Sequence, residues 1–331
     1  MPTATRSLGD WSIPGPARRA ALLLTVAMVV PTLAAYAAFG FAPALAVFLG
    51  FVANLTPATH LPWRLGLAAV STTALTGAVA TALLGDPVPA ACFAALACLV
   101  AAPGNIWHNN LLAAIPTVAA VYTTLLIDAD PGETLGGLLV GGAVAIGVMA
   151  RRPGSGELAG VPERMAWRHA GAMALSVGVV VYLMSVLMEP WGYVLPMTLT
   201  LVLRPFVGET LPVARRRVLG TLSGAVLAAA LVATLPLQFQ LVVQVCLLFL
   251  LLAYSTLGRY ALYVVFVTPF VIFLGGRATA YTAEVGLQRV LATLAGAVIA
   301  GLIAMLLARG DRADATETTD TTEASAGPTG T

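Results

Sequence analysis

RVLGTLSGAV at 217–226 and RVLATLAGAV at 289–298 are the same decapeptide except at Gly220/Ala292 and Ser223/Ala295, and each leads into an unbroken apolar run. The Arg, the Thr and the Gly are matched as well as the Ala and Leu. Upstream, TLTLVLRP from Thr198 and TPFVIFLGG from Thr268 stand at nearly the same distance before each copy, so the repeat covers two helices or more. A weaker copy, ALTGAV at 74–79, lies in the first half, where Arg19 stands before the first apolar run as Arg168 stands before the first run of the second half. The chain therefore reads as a duplicated bundle whose first half has lost much of its charge.

Composition places this bundle in a bilayer. Of 331 residues, 59% are hydrophobic and only 10% charged, with a mean hydropathy of +0.91, against about 25% charge in an ordinary soluble domain. Aromatics make up only 7%, so the apolar content is mostly Ala, Leu, Val and Gly, as in helices that pack closely in lipid. A transmembrane barrel would alternate polar and apolar residues in short segments, and these runs do not. Apolar runs fall at 20–39, 41–56, 65–85, 87–103, 111–127, 135–150, 170–188, 193–203, 218–236, 238–257, 260–276 and 290–308. At about 20 residues per span this predicts an all-α polytopic bundle of about twelve transmembrane helices, leaving no room for a sizeable soluble domain. The runs at 41–56 and 193–203 are short and are expected to tilt, to extend into their loops or to re-enter.

The Gly- and Pro-containing loop 151–169 carries four arginines and divides the membrane region into two six-helix halves, 20–150 and 170–308. Residues 1–19 form an N-terminal segment with no obvious cleavage site, so the first helix is expected to stay as an anchor. Residues 309–331, rich in Thr, Asp and Glu, read as a disordered tail. All 17 basic residues are Arg. With the N-terminus inside, fifteen of them fall on the cytoplasmic side and only Arg277 and Arg289 outside, which predicts both termini and the 151–169 loop in the cytoplasm. On this topology Arg217 opens a helix at the inner face and Arg289 opens one at the outer face. The two copies are then inverted, an arrangement secondary transporters use, with the substrate path at the repeat interface. Thr221, Gly224 and Ala228, like Thr293, Gly296 and Ala300, read as small packing faces, as does the Gly-rich run 135–147.

A net charge of +2 is too small to predict nucleic acid as a partner. Cys92, Cys98 and Cys246 all lie in apolar runs, where free Cys acts as a small hydrophobe, so no disulfide framework, metal or cofactor is expected. The expected partners are the lipid bilayer and a small organic anion, with homo-oligomerisation left open.

The stretch WGYVLPMTLTLVLRPFVGETLPVARRRVLGTLSGAV from Trp191, then GRYALYVVFVTPFVIF and LQRVLATLAGAV, resembles the fusaric acid resistance family of membrane proteins. The residues that carry it are Pro205, Thr210, Arg217, Gly220, Thr221, Gly224, Tyr260 and Thr268-Pro269, and the resemblance covers roughly 168–308. It implies an inner-membrane efflux component related to aromatic carboxylic acid exporters and, more distantly, to plant aluminium-activated malate transporters. Many of that family's members carry a sizeable cytoplasmic domain, for which this chain has only the 151–169 loop.

Arg204, Glu209, Arg215, Arg216 and Arg217 crowd the segment between the runs at 193–203 and 218–236. Arg215 and Arg216 read as topogenic charges. Arg204 differs, because it closes a short run and precedes Pro205, where an Arg in a cavity attracts an anion. Glu209 is its expected partner. Arg217 and Arg259 complete a basic vestibule, and Arg289 with Glu284 forms an exit-side pair, although an Arg snorkelling to headgroups explains Arg289 as well. No run carries a central Asp or Glu, so a proton relay would have to use Glu209, His60, His108 or the outer acids. The leading expectation is an exporter of small anionic or aromatic compounds, not an enzyme. The alternatives are an anion channel, an enzyme acting on lipid-linked substrates, and a non-transporting scaffold.

Overall fold

The computed structural model describes residues 12–107, 112–125, 128–149, 160–187, 192–275 and 283–325. Among them are fourteen α-helices and no strand, as a polytopic helix bundle requires. The helices are α1 (Gly15–Phe39), α2 (Phe41–Ala53), α3 (Leu55–His60), α4 (Trp63–Ala82), α5 (Pro87–Val100), α6 (Ala102–Trp107) and α7 (Ala114–Tyr122). They continue as α8 (Pro131–Met149), α9 (Glu163–Leu187), α10 (Val194–Val202), α11 (Val207–Thr234), α12 (Gln240–Thr256), α13 (Tyr260–Gly275) and α14 (Ala283–Ser325).

Each expected apolar run holds a helix, but the helices are unequal. Seven stretches are long and apolar enough to cross a membrane, among them Gly15–Phe39, Glu163–Leu187, Gly208–Thr234 and Gly286–Arg309. By contrast α7 and α10 have nine residues each, about 14 Å at 1.5 Å per residue, or half of a hydrocarbon core about 30 Å thick. The run at 111–127 is thus no full span. Local chemistry ends both half-helices: Leu203 turns extended, and Pro205 keeps Arg204, the residue before it, out of the helical region as well. In α7 the hydroxyls of Thr123 and Thr124 bond back to the Ala119 and Ala120 carbonyl oxygens at 2.8 and 2.7 Å. Two boundaries also differ from the sequence reading. Helix α11 begins at Val207, so Arg217 lies well inside it and does not open it. Helix α14 begins at Ala283 and continues to Ser325, into the stretch expected to be a disordered tail; no Gly or Pro between Asp311 and Ser325 interrupts it.

Periodicity separates lipid from core. On α14, Leu287, Leu291, Leu294, Val298, Leu302 and Met305 are exposed, while Thr293, Ala297, Ala300 and Ala304 are buried. Both sets repeat at three and four residues, which puts large side chains toward lipid and small ones toward the bundle.

The small faces organise the helices into four units of three principal helices: α1, α2, α4; α5, α7, α8; α9, α10, α11; and α12, α13, α14. In the second half, a Cβ on Gly224 of α11 would meet the Val265 oxygen at 2.6 Å and Thr268 at 2.7 Å, both on α13. Reciprocally, a Cβ on Gly296 of α14 would meet the Leu195 oxygen at 3.1 Å and Thr198 at 2.9 Å, both on α10. The third helix of each unit therefore packs on the middle helix of the other, an exchange that a two-fold relation between units produces. The first half repeats it: Gly141 of α8 meets the Val47 oxygen of α2, and Gly77 of α4 meets Val118 of α7 at 3.3 Å.

Direction follows from contacts at the ends. A Cβ on Gly301, midway along α14, would meet the side chain of Leu211, near the start of α11, at 3.6 Å, and Arg168, early in α9, donates to the Leu307 oxygen at 3.4 Å. The repeat copies on α11 and α14 therefore run antiparallel. So do the half-helices, for the Thr117 hydroxyl donates to Thr200 at 3.1 Å and Val121 packs with Tyr193 and Val194. The half-helices cross between the two halves of the molecule, where α5 also lies along α9.

Because the Gly224 site is closed by backbone, Gly224→Val should destabilise the detergent-solubilised protein by at least about 1–3 kcal/mol, read as a lowered Tm. Gly147→Ala, with nothing within 4 Å of the added Cβ, should leave Tm unchanged.

Candidate functional site

The break between α10 and α11 leaves backbone groups that no helix satisfies. Thr210, fully buried in the first turn of α11, supplies one answer: its hydroxyl accepts from the Arg204 N–H at 3.1 Å. The break is thus held in one conformation, with the half-buried Arg204 side chain projecting from it. Near its guanidinium stand Tyr260 of α13 and Glu209 of α11, and the Arg204 charge reaches His169 of α9. Tyr260 stacks on Tyr263 with ring centroids 6.1 Å apart, and Arg217 acts on the Tyr263 phenol from α11. Four elements, α9, the break, α11 and α13, therefore converge on one polar cluster.

Within it, His169 Nδ1, Arg217 Nε and the Tyr260 hydroxyl are buried and have no hydrogen-bond partner among the described residues. Buried polar groups are normally satisfied, and orphaned ones mark a place where something else binds. All three can donate a hydrogen bond, as can Arg204, so the missing partner is an acceptor.

The residues singled out in the sequence separate on burial. Arg215 and Arg216 are exposed, whereas Arg217, which follows them, is only 4% exposed, because successive residues on a helix point 100° apart. Glu209 is exposed and lies toward solvent, close enough to Arg204 to act through space. Arg259 is half-buried in the turn before α13, its N–H donating to the Tyr254 oxygen at 3.0 Å. Arg289 is not part of this cluster. It is buried at the other end of α10, where its guanidinium donates to the Tyr193 hydroxyl at 3.3 Å. The side chain of Glu284 and all of His108 and Arg277 lie outside the described residues, and His60 is half-buried at the end of α3.

Sequence reasoning missed His169 by assigning it to the linker. Its spacing to Met173 and Val177 was the available signal, since these repeat at four residues and all three are buried. Nothing local marks Tyr193 as the partner of an Arg 96 residues away.

Removing the Thr210 hydroxyl leaves the buried Arg204 N–H unpaired, so Thr210→Val should cost about 1–3 kcal/mol, measured by thermal unfolding. Thr210→Ser should retain most of that stability.

Residues 174–303 match the model of the family described as fusaric acid resistance protein-like. No curated protein and no solved structure matches the chain. The match begins within α9, ends within α14 and includes Arg204, Arg217, Tyr260 and Arg289. With apolar helices in both halves of the molecule, the chain is a multi-pass membrane protein, and over residues 174–303 it is similar to the fusaric acid resistance protein-like family, which is of transporter or efflux type.

Proposed function

We propose that the protein is a secondary exporter of small organic anions, aromatic carboxylates in particular, that takes its substrate from the cytoplasm at the α10–α11 break. The observation that carries this reading is the convergence of two guanidinium groups, an imidazole and two phenol rings on a broken helix, with three donors left open. A carboxylate answers the donors. Arg204 offers it a planar fork, and the Tyr260 and Tyr263 rings offer an aromatic body a stacking surface. A charge at a broken helix inside a bundle is costly to keep and is characteristically tied to transport.

The antiparallel units support a carrier. Two half-helices that cross at a two-fold relation give one path with two ends, and rocking of units about the crossing would open each end in turn. The arginine-rich end, where α9 begins and the break of α10 lies, is assigned to the cytoplasm of a cell membrane by the distribution of Arg. An anion channel of the same fold would show current proportional to voltage with no dependence on a proton gradient.

Uptake of labelled benzoate into inverted vesicles, with and without a proton gradient, tests the reading. Arg204→Ala should lower substrate affinity roughly ten- to a hundredfold, since a charge-assisted hydrogen bond contributes about 1.5–3 kcal/mol. Arg204→Lys should recover part of it, and Arg215→Ala and Arg216→Ala should transport as wild type. Equal uptake by Arg204→Ala and wild type at matched expression would remove the site. Reporter fusions after residue 160 or 312 should report a cytoplasmic location, and periplasmic activity would reverse the assigned orientation.

A further inference from the structure

The two copies of the decapeptide share more than their helices. Gly224 of α11 faces the Val265 oxygen and Thr268 of α13, and Gly296 of α14 faces the Leu195 oxygen and Thr198 of α10. In each case the Thr stands three residues after the carbonyl, so α10 and α13 correspond residue by residue, Leu195 to Val265 and Thr198 to Thr268. A second contact agrees. Gly220 faces the Val264 side chain, and its counterpart Ala292 packs in one cluster with Val194, the counterpart of Val264. Counting back one more residue brings Tyr193 to the place of Tyr263, and the first residues of the two copies, Arg217 and Arg289, correspond as well.

These four side chains make two Arg–Tyr pairs. Buried Arg289 donates to the Tyr193 hydroxyl at 3.3 Å, and buried Arg217 places its charge beside the Tyr263 phenol. Each pair joins the third helix of one unit to the middle helix of the other, α14 to α10 and α11 to α13. Because the copies are antiparallel, the pairs lie toward opposite ends of α10, Arg217 and Tyr263 with Arg204 at the inner end, Arg289 and Tyr193 at the outer. Val121, in the last turn of α7, packs with Tyr193, so a helix of the first half is drawn into the outer contact. The two pairs differ in state. The outer guanidinium is bonded to its phenol, whereas at the inner end Arg217 Nε has no hydrogen-bond partner among the described residues.

Resting on the transport reading above, we infer that the Arg289–Tyr193 hydrogen bond is a latch that holds the outer end of the path shut while the inner site awaits substrate, and that Arg217 with Tyr263 is its counterpart, which forms when the inner end closes. Rocking of inverted units gives each the arrangement the other had, so equivalent pairs exchange states as the path switches. A buried guanidinium left without an acceptor is costly. Each arginine therefore takes its phenol when its end is closed and presents an open donor when its end is open. The open donor passes from the inner end to the outer as the path switches, which is the direction of export. Arg289 and Tyr193 are positioning residues, acting through which end is open.

The test is made in the full chain with Cys92, Cys98 and Cys246 replaced by Ala and with Val194→Cys as the reporter, a position buried in the cluster with Val121 at the outer end. A membrane-impermeant maleimide added from outside should label it slowly. Tyr193→Phe, which keeps the ring and removes the hydroxyl, should raise the labelling rate about tenfold, as the loss of one hydrogen bond to a charged group predicts. Tyr263→Phe should lower the rate, because it removes the bond that forms only when the inner end closes. Arg289→Gln should act as Tyr193→Phe does, and the double variant should label no faster than either single one, since both residues act through one bond. Without the reporter, Tyr193→Phe should raise the half-saturating benzoate concentration at the cytoplasmic face, as fewer molecules present the inner site. Each variant should elute as wild type in size-exclusion chromatography. Faster labelling in Tyr263→Phe as well, with rates that add in the double variant, would mean a general loosening and would overturn the latch. Unchanged labelling in Tyr193→Phe, alongside intact Arg204-dependent uptake, would overturn the latch alone. Uptake indifferent to Arg204, with labelling still raised by Tyr193→Phe and lowered by Tyr263→Phe, would overturn the substrate reading and support the latch.

Discussion

Close approach of helix backbone to helix backbone governs this molecule. In both halves a glycine on the third helix of one unit faces a carbonyl oxygen or side chain on the middle helix of its partner, and at Gly141 and Gly224 an added Cβ would meet backbone closer than real side chains come. In a bilayer there is little hydrophobic gain in bringing two apolar helices together, so packing contact and shape must do the work. A small face and a large face on one helix then settle orientation. On α14 the row from Thr293 to Ala304 is buried and the row from Leu287 to Met305 looks outward.

The half-helices follow from that packing. Nine residues cannot cross a bilayer, and the broken backbone beyond them is tolerable only where protein surrounds it. At the end of α10 that shelter includes Thr210, which takes up the Arg204 N–H; at the end of α7, Thr123 and Thr124 turn their hydroxyls back on the helix.

Helical class, membrane residence and the repeat were legible in the sequence because they rest on composition and local periodicity, which need no knowledge of neighbours. The matched Arg, Thr and Gly of the two decapeptides pointed to an internal relation, and the Pro after Arg204 marked the break, since the restriction before Pro acts on the adjacent residue alone. The same locality explains why Arg215 and Arg216 could be set apart from Arg204.

What the tertiary structure decided is which helices meet and which polar atoms are left open. No local signal shows that α13 brings Tyr260 and Tyr263 to Arg204, that His169 lies inside the bundle, or that Tyr193 holds Arg289. These depend on the exchange of partners between units, a property of non-local contacts.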